Sequence, residues 1–153
     1  MKRESAGGPL YRLIFCSRST LPEEGGAERA IRGLLANARW RNEADRLTGA
    51  LLASRSGFAQ VLEGPREAVE RRFQRISEDP RHTDVSMLTC TPAPRRLFPD
   101  QSLAFCGDFR ADALDPLTGL LDDTRRREQR AMTGGDVLRL LVRLVRAEDE
   151  WAA

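Results

Sequence analysis

Two carboxamides stand where an amide is unusual. Gln60 is the only polar residue inside the apolar run Phe58-Ala59-Gln60-Val61-Leu62, and Asn42 follows Arg41 just ahead of Leu47-Thr48-Gly49. A carboxamide both donates and accepts hydrogen bonds. Two of them can therefore match, without charge, a ring edge that presents carbonyl acceptors, an N–H and ring nitrogens. Burying Gln60 without a partner costs about 1–3 kcal/mol, so a partner is expected. A neighbouring backbone group or solvent would serve as well as a ligand. A second group is ionic: Asp79-Pro80-Arg81-His82, with Arg75 one helical turn before Asp79. The run Arg12, Phe15, Cys16 and Ser17 is a third. The Arg41 guanidinium can bond a phosphate. Asp79 also suits a helix-end turn, and His82 the exposed start of a strand.

Other chemistries lack their residues. His82 is the only histidine, so no multi-histidine metal site can form. There is no Gly-x-Gly-x-x-Gly and no Walker loop. Cys16, Cys90 and Cys106 are too few and too scattered for a disulfide framework or a zinc site, and are expected to be reduced. With 25 basic and 23 acidic residues the formal charge is +2, which argues against nucleic acid as a partner. No stretch approaches the roughly 18 apolar residues of a membrane span, and no apolar segment follows Lys2-Arg3 as a signal peptide requires. A cytoplasmic protein is expected.

Several elements must position these groups. Leu10–Ser17 is rich in β-formers and reads as a strand with Tyr11, Leu13, Phe15 and Ser17 on one face. Ile31, Leu34, Leu35 and Ala38 recur at helical spacing between Ala27 and about Arg41. Leu47–Ser54 and Phe58–Gly64 form a hairpin through Arg55-Ser56-Gly57. Pro65 opens a second helix carrying Ala68, Val69, Phe73 and Ile76, which ends near Asp79-Pro80. Val85–Thr91 and Ser102–Cys106 are two further strands. The order βαββαββ gives an α+β fold with a ferredoxin-like sandwich, its two helices on one face of the sheet. Residues 1–9 are expected to fray. Leu114–Leu121 reads as a short helix, and the charge run 122–130 as a solvated face. After Thr133-Gly134-Gly135, Asp136 is placed to cap a last helix that is apolar around more than half its circumference. That helix needs burial, and the bare sheet face offers it. Domain organisation is therefore 1–9 as a tail, 10–106 as the sandwich and 107–153 as a C-terminal helical cap.

Taken together, LYRLIFCS, RN followed by LTGALL, FAQVLEGP and RISEDPRH resemble the BLUF domains, the blue-light sensors that use FAD. The resemblance covers residues 10–106, in the same order and at nearly constant spacing. It implies the ferredoxin-like sheet with a flavin ring held between the two helices and a helical cap behind. It implies that Asn42 bonds the carbonyl side of the flavin and that Gln60 is the switching glutamine. Arg75, Asp79 and His82 then hold the ring and the ribityl or phosphate part. Arg41 stands where many members have Asn or His, and Ser17 joins the cofactor-binding set. The implied cofactor is FAD, with FMN or riboflavin open, and the implied role is sensory, not enzymatic.

The pattern departs from the family at three switching positions. Phe15 occupies the place of the photoactive tyrosine, and Gln101 and Leu103 occupy places that often hold tryptophan and methionine. Phenylalanine has no hydroxyl and cannot bond Gln60. Two readings follow: a light or redox sensor that signals to a separate downstream protein or through a homo-oligomer, and a photochemically inactive descendant acting as a flavin-binding or protein-interaction module. Arg41-Asn42 also admits an acylphosphatase-like hydrolase, although no phosphate loop follows the first strand.

Overall fold

The computed structural model describes residues 9–20, 26–54, 57–108 and 134–152. Strand β1 (Leu10–Ser19) is followed by helix α1 (Gly26–Ala44), strands β2 (Thr48–Ser54) and β3 (Gly57–Pro65), helix α2 (Arg66–Ser77), strands β4 (His82–Pro92) and β5 (Ala104–Asp108), and helix α3 (Gly134–Ala152). All but the last strand form one antiparallel arrangement, with β5 added parallel to β2 in the order β4-β1-β3-β2-β5. This is the expected ferredoxin-like βαββαββ order. The tail expected to fray (save Pro9), the turn expected at Arg55-Ser56, the short helix expected over 114–121 and the charge run lie outside the described residues.

The central strands β1, β3 and β2 are covered on both sides, while the edge strand β4 stays largely exposed. Leu13, Phe15 and Leu62 pack with Ala68, Val69, Phe73 and Ile76 of α2. Leu51, Ala53 and Phe58 pack with Ile31, Leu35 and Ala38 of α1. On the reverse face Ile14, Cys16, Ala50, Leu52, Ala59 and Val61 meet Val137, Leu140, Leu141 and Val145 of α3. The apolar final helix thus finds the burial its composition requires. Its start differs from the expected cap. Gly134 and Gly135 are already helical and Asp136 sits in the first turn, ion-paired to Arg139 at 2.6 Å. Gly134 lies so close to β4 that a Cβ there would come within 2.8 Å of the Thr89 side chain, so the glycine permits docking instead of breaking the helix. Likewise Pro65 ends β3 and occupies the N-cap, and α2 begins at Arg66.

Gly49 of the LTG segment is required by close approach. A Cβ at that position would meet the Val61 carbonyl oxygen at 1.9 Å, so β2 and β3 can pack at this register only around a glycine.

Candidate functional site

The register sets the environment of Gln60. On one side its strand partner is Phe15 of β1, and on the other it is Leu51 of β2. Gln60 is 8% exposed and its side chain has no hydrogen bond to any described residue. It opens onto a cavity of about 400 Å3, within the range of small-molecule sites. Phe15, Leu51 and Phe58 floor the cavity with Gln60, α1 walls it with Ile31, Leu35, Ala38, Arg41 and Asn42, and α2 with Arg72, Arg75 and Ile76. Asp79, Arg81 and His82, in the turn from α2 into β4, close one end.

Asn42 is 2% exposed, and its Nδ2 donates to the Ser102 carbonyl at 2.8 Å. That bond fixes the amide and leaves Oδ1 and one N–H for other partners. One turn earlier, Arg39 Nε donates to the Leu103 carbonyl at 2.9 Å. The segment before β5 is thus held against α1, and Leu103, 3% exposed, reaches the cavity wall.

The His82 ring is oriented from both nitrogens. Nε2 bonds the Ile76 carbonyl, which can only accept, so Nε2 carries a proton. Nδ1 pairs with the Ser17 hydroxyl, 2.9 Å away, which can donate to it or accept from it. Phe15 and Phe58 meet the ring edge-on at 6.3 and 5.8 Å between centroids. Beside it, Asp79 accepts from the Arg81 backbone at 2.9 Å and from its guanidinium. Those Arg81 hydrogen bonds hold the Asp79 carboxyl below the usual carboxylate range, against the opposing effect of burial.

Six of the expected binding residues, Arg41, Asn42, Gln60, Arg75, Asp79 and His82, line this one cavity. Ser17 does not reach it: its side chain is 2% exposed and acts on His82 instead. Gln101 is also off the lining, its backbone bonded to Gly49 and Phe98. Phe15 faces the cavity directly opposite Gln60.

Two groups had no assigned role. Arg72 bonds Asp45 at 2.9 Å while its Nε is buried without a partner. Its position three residues after Val69 and four before Ile76, on the buried stripe of α2, was the available signal. Glu63, fully buried, accepts from Arg12 (3.1 Å), Thr48 (3.2 Å) and the backbone N–H groups of Leu97 (2.7 Å) and Phe98 (3.0 Å). Arg96 adds bonds to Thr48 Oγ1 and to the carbonyls of Glu63 and Arg46 at 2.8–2.9 Å. A lone acid in an apolar strand marks Glu63 just as a lone amide marks Gln60.

An apolar, aromatic slot with one unpartnered amide on its floor, a half-used amide on its wall and cations along one side fits a planar flavin whose tail is anionic. Residues 10–104 match the family described as BLUF, sensors of blue-light using FAD. The chain belongs to the BLUF family. It is 35% identical over 92 residues to the photoactivated adenylate cyclase subunit beta of Euglena gracilis, covering 60% of this chain and 10% of that protein. It is 40% identical over 89 residues to the blue light- and temperature-regulated antirepressor BluF of Escherichia coli strain K12, covering 58% of this chain and 21% of that one. The chain therefore spans a tenth to a fifth of these two relatives. The dark-state structure of BlrB, a BLUF protein, superposes with a TM-score of 0.68 at 29% identity, covering 92% of this chain and 97% of that chain. BLUF domains use FAD, so the fold and the cofactor class implied by the sequence motifs both stand. Among the described residues no helix is long and apolar enough to cross a membrane.

Proposed function

We propose that the cavity between α1 and α2 binds the flavin of FAD and that the chain works as a sensory domain without catalysis of its own. The observation that carries this is Gln60, 8% exposed, whose side chain has no hydrogen bond to a described residue and opens onto a flavin-sized cavity. When bound, the flavin supplies the absorption of blue light. Gln60 and Asn42 bond the polar edge of the ring, and Phe15, Leu51, Phe58 and Leu103 exclude water from its faces. His82 is held in one orientation by Ser17 and Ile76, and Arg75 and Asp79 take the ribityl side. The division into a sandwich over 10–106 and a cap over 107–153, a cytoplasmic location, and signalling to a separate protein or through a homo-oligomer belong to the same proposal. Purified protein should be yellow, or become so on adding FAD. A colourless protein that takes up no FAD would overturn the assignment.

One observation favours a second reading, in which light is not the input. The residue opposite Gln60 is Phe15, whose ring has no hydroxyl. A reversible red shift of the flavin band after blue illumination supports the light sensor. A bound flavin whose spectrum does not move under blue light supports the module that has lost the switch.

A further inference from the structure

We infer that the cavity leaves a bound flavin with no electron donor in contact, so that blue light absorbed there is passed to dissolved dioxygen and the chain is a light-driven source of singlet oxygen. This rests on the flavin reading above and extends it to what the site does with absorbed light. Phenols, indoles and sulfur groups are the side chains that readily give an electron to an excited flavin. Among the described residues lining the cavity there is no tyrosine, tryptophan, methionine or cysteine. Its aromatic hydrocarbon rings are Phe15 and Phe58, which lack the hydroxyl that makes a ring easy to oxidise. Its polar members are amides, guanidinium groups, one carboxylate and the His82 imidazole, all poorer donors.

The better donors stand elsewhere. Tyr11, the one tyrosine, is four residues from Phe15, about 13 Å along β1 at ~3.3 Å per residue. The Arg66 guanidinium covers its ring at 5.3 Å from the centroid. Trp40 is 73% exposed and lines a separate basin with Arg71, not the ring cavity. Trp151 belongs to α3, the helix packed on the reverse face. Met87 is exposed on the edge strand β4, and Cys16 packs with α3. Cys90 pairs with Leu13, and burial pushes its thiol up, away from the more easily oxidised thiolate. Electron transfer falls steeply with separation, so none of these replaces a donor in contact. Asn37, Arg41 and Arg75 are exposed where they line the cavity, which gives dioxygen a way in from solvent. Energy transfer then converts ground-state dioxygen to its singlet form. No bond forms or breaks, no electron changes hands and no reductant is consumed.

The test is time-resolved fluorescence of the FAD-loaded protein, with the near-infrared emission of singlet oxygen recorded under blue light in air-saturated buffer. The bound flavin should emit for as long as free FMN, whose ring has no adenine folded onto it, and singlet oxygen should appear. Phe15→Tyr and Phe58→Tyr each put a phenol on the lining, and both emissions should fall in at least one of them. Phe58→Tyr separates quenching from any switching role, because the strand partners of Phe58 are Ser17 and Ala53, not Gln60. Trp40→Phe should change neither emission. A short-lived parent emission, one that Trp40→Phe lengthens, an absence of singlet oxygen, or two tyrosine variants as bright as the parent would overturn the inference while the flavin site stands. Failure to take up FAD would overturn the flavin reading itself.

Discussion

Replacing Glu63 by alanine tests whether a residue outside the cavity holds the cavity together. The substitution removes the acceptor of the Leu97 and Phe98 N–H groups and of the Thr48 hydroxyl, and leaves the Arg12 guanidinium, whose side chain is 14% exposed, with the Arg95 carbonyl at 2.8 Å but without its counter-charge. Each buried donor left unmatched costs about 1–3 kcal/mol. Breaking one side of a buried ion pair costs about 3–5 kcal/mol. These losses share one carboxylate and do not add, so a net loss of about 3–5 kcal/mol is expected, a large part of a typical 5–15 kcal/mol. Thermal unfolding should fall by on the order of 10 °C. Glu63→Gln keeps one acceptor and should lose roughly half as much. In Glu63→Gln the NH2 group replaces one oxygen and faces two of the former donors, while Arg12 loses its counter-charge. Flavin affinity should fall as well, because Leu97 and Phe98 anchor the segment that carries Ser102 and Leu103 to α1. The assay is urea denaturation followed by circular dichroism, with the slope checked for constancy. A Glu63→Ala protein within about 1 kcal/mol of the parent and with unchanged flavin affinity would refute the reasoning.

Phe15→Tyr places a phenol directly across from Gln60 and should create or enlarge a light-induced red shift of the flavin band; an unaltered light-minus-dark spectrum would exclude this position as the switching group. Gln60→Leu removes an amide that opens onto the cavity and has no hydrogen bond to a described residue, so the flavin-free protein should be as stable as the parent or up to about 1 kcal/mol more stable, while flavin affinity drops; parallel denaturation and flavin titrations check both. The Asp79 carboxyl is held low in the folded state by Arg81, so its contribution is complete above the unfolded value of about 3.9 and is lost as pH falls through the folded value. Because the pair is partly exposed, that contribution is no more than about 1 kcal/mol, and Asp79→Asn should flatten the acid limb of urea midpoints measured from pH 7 down to pH 2.

The elements were legible because each carries a clear period. Phe58–Gly64 is a short apolar run bounded by turn residues and is buried throughout, and Ile31, Leu35 and Ala38 pack together as their helical spacing predicts. The motif residues also converge, since β1, β3 and the ends of α1 and α2 meet around one cavity. What was not legible depends on tertiary partners. Gln101 and Leu103 are two apart and would share a face of a strand, but β5 begins at Ala104, so alternation does not apply to them. The resemblance puts Ser17 in the cofactor set, but its hydroxyl is bonded to His82 and does not line the cavity, a partner 65 residues away that no local pattern shows. Two glycines before Asp136 look like a helix break, and the nearness of Thr89, which leaves no room for a Cβ at Gly134, is not visible in the sequence. Arg72 and Glu63 gain meaning only from Asp45, Arg12 and the Leu97–Phe98 backbone, which are 27 to 51 residues away in sequence.

Strand β3 is covered on both faces, with Gln60 facing the cavity and its neighbours Ala59 and Val61 packed under α3. Both neighbours are fully buried, so neither has free space to absorb a displacement. The partition between ligand and cap is therefore one peptide unit thick. A tilt of that unit, driven from Gln60, would bear directly on Val137, Leu140, Leu141 and Val145 of α3, with no layer between to absorb it.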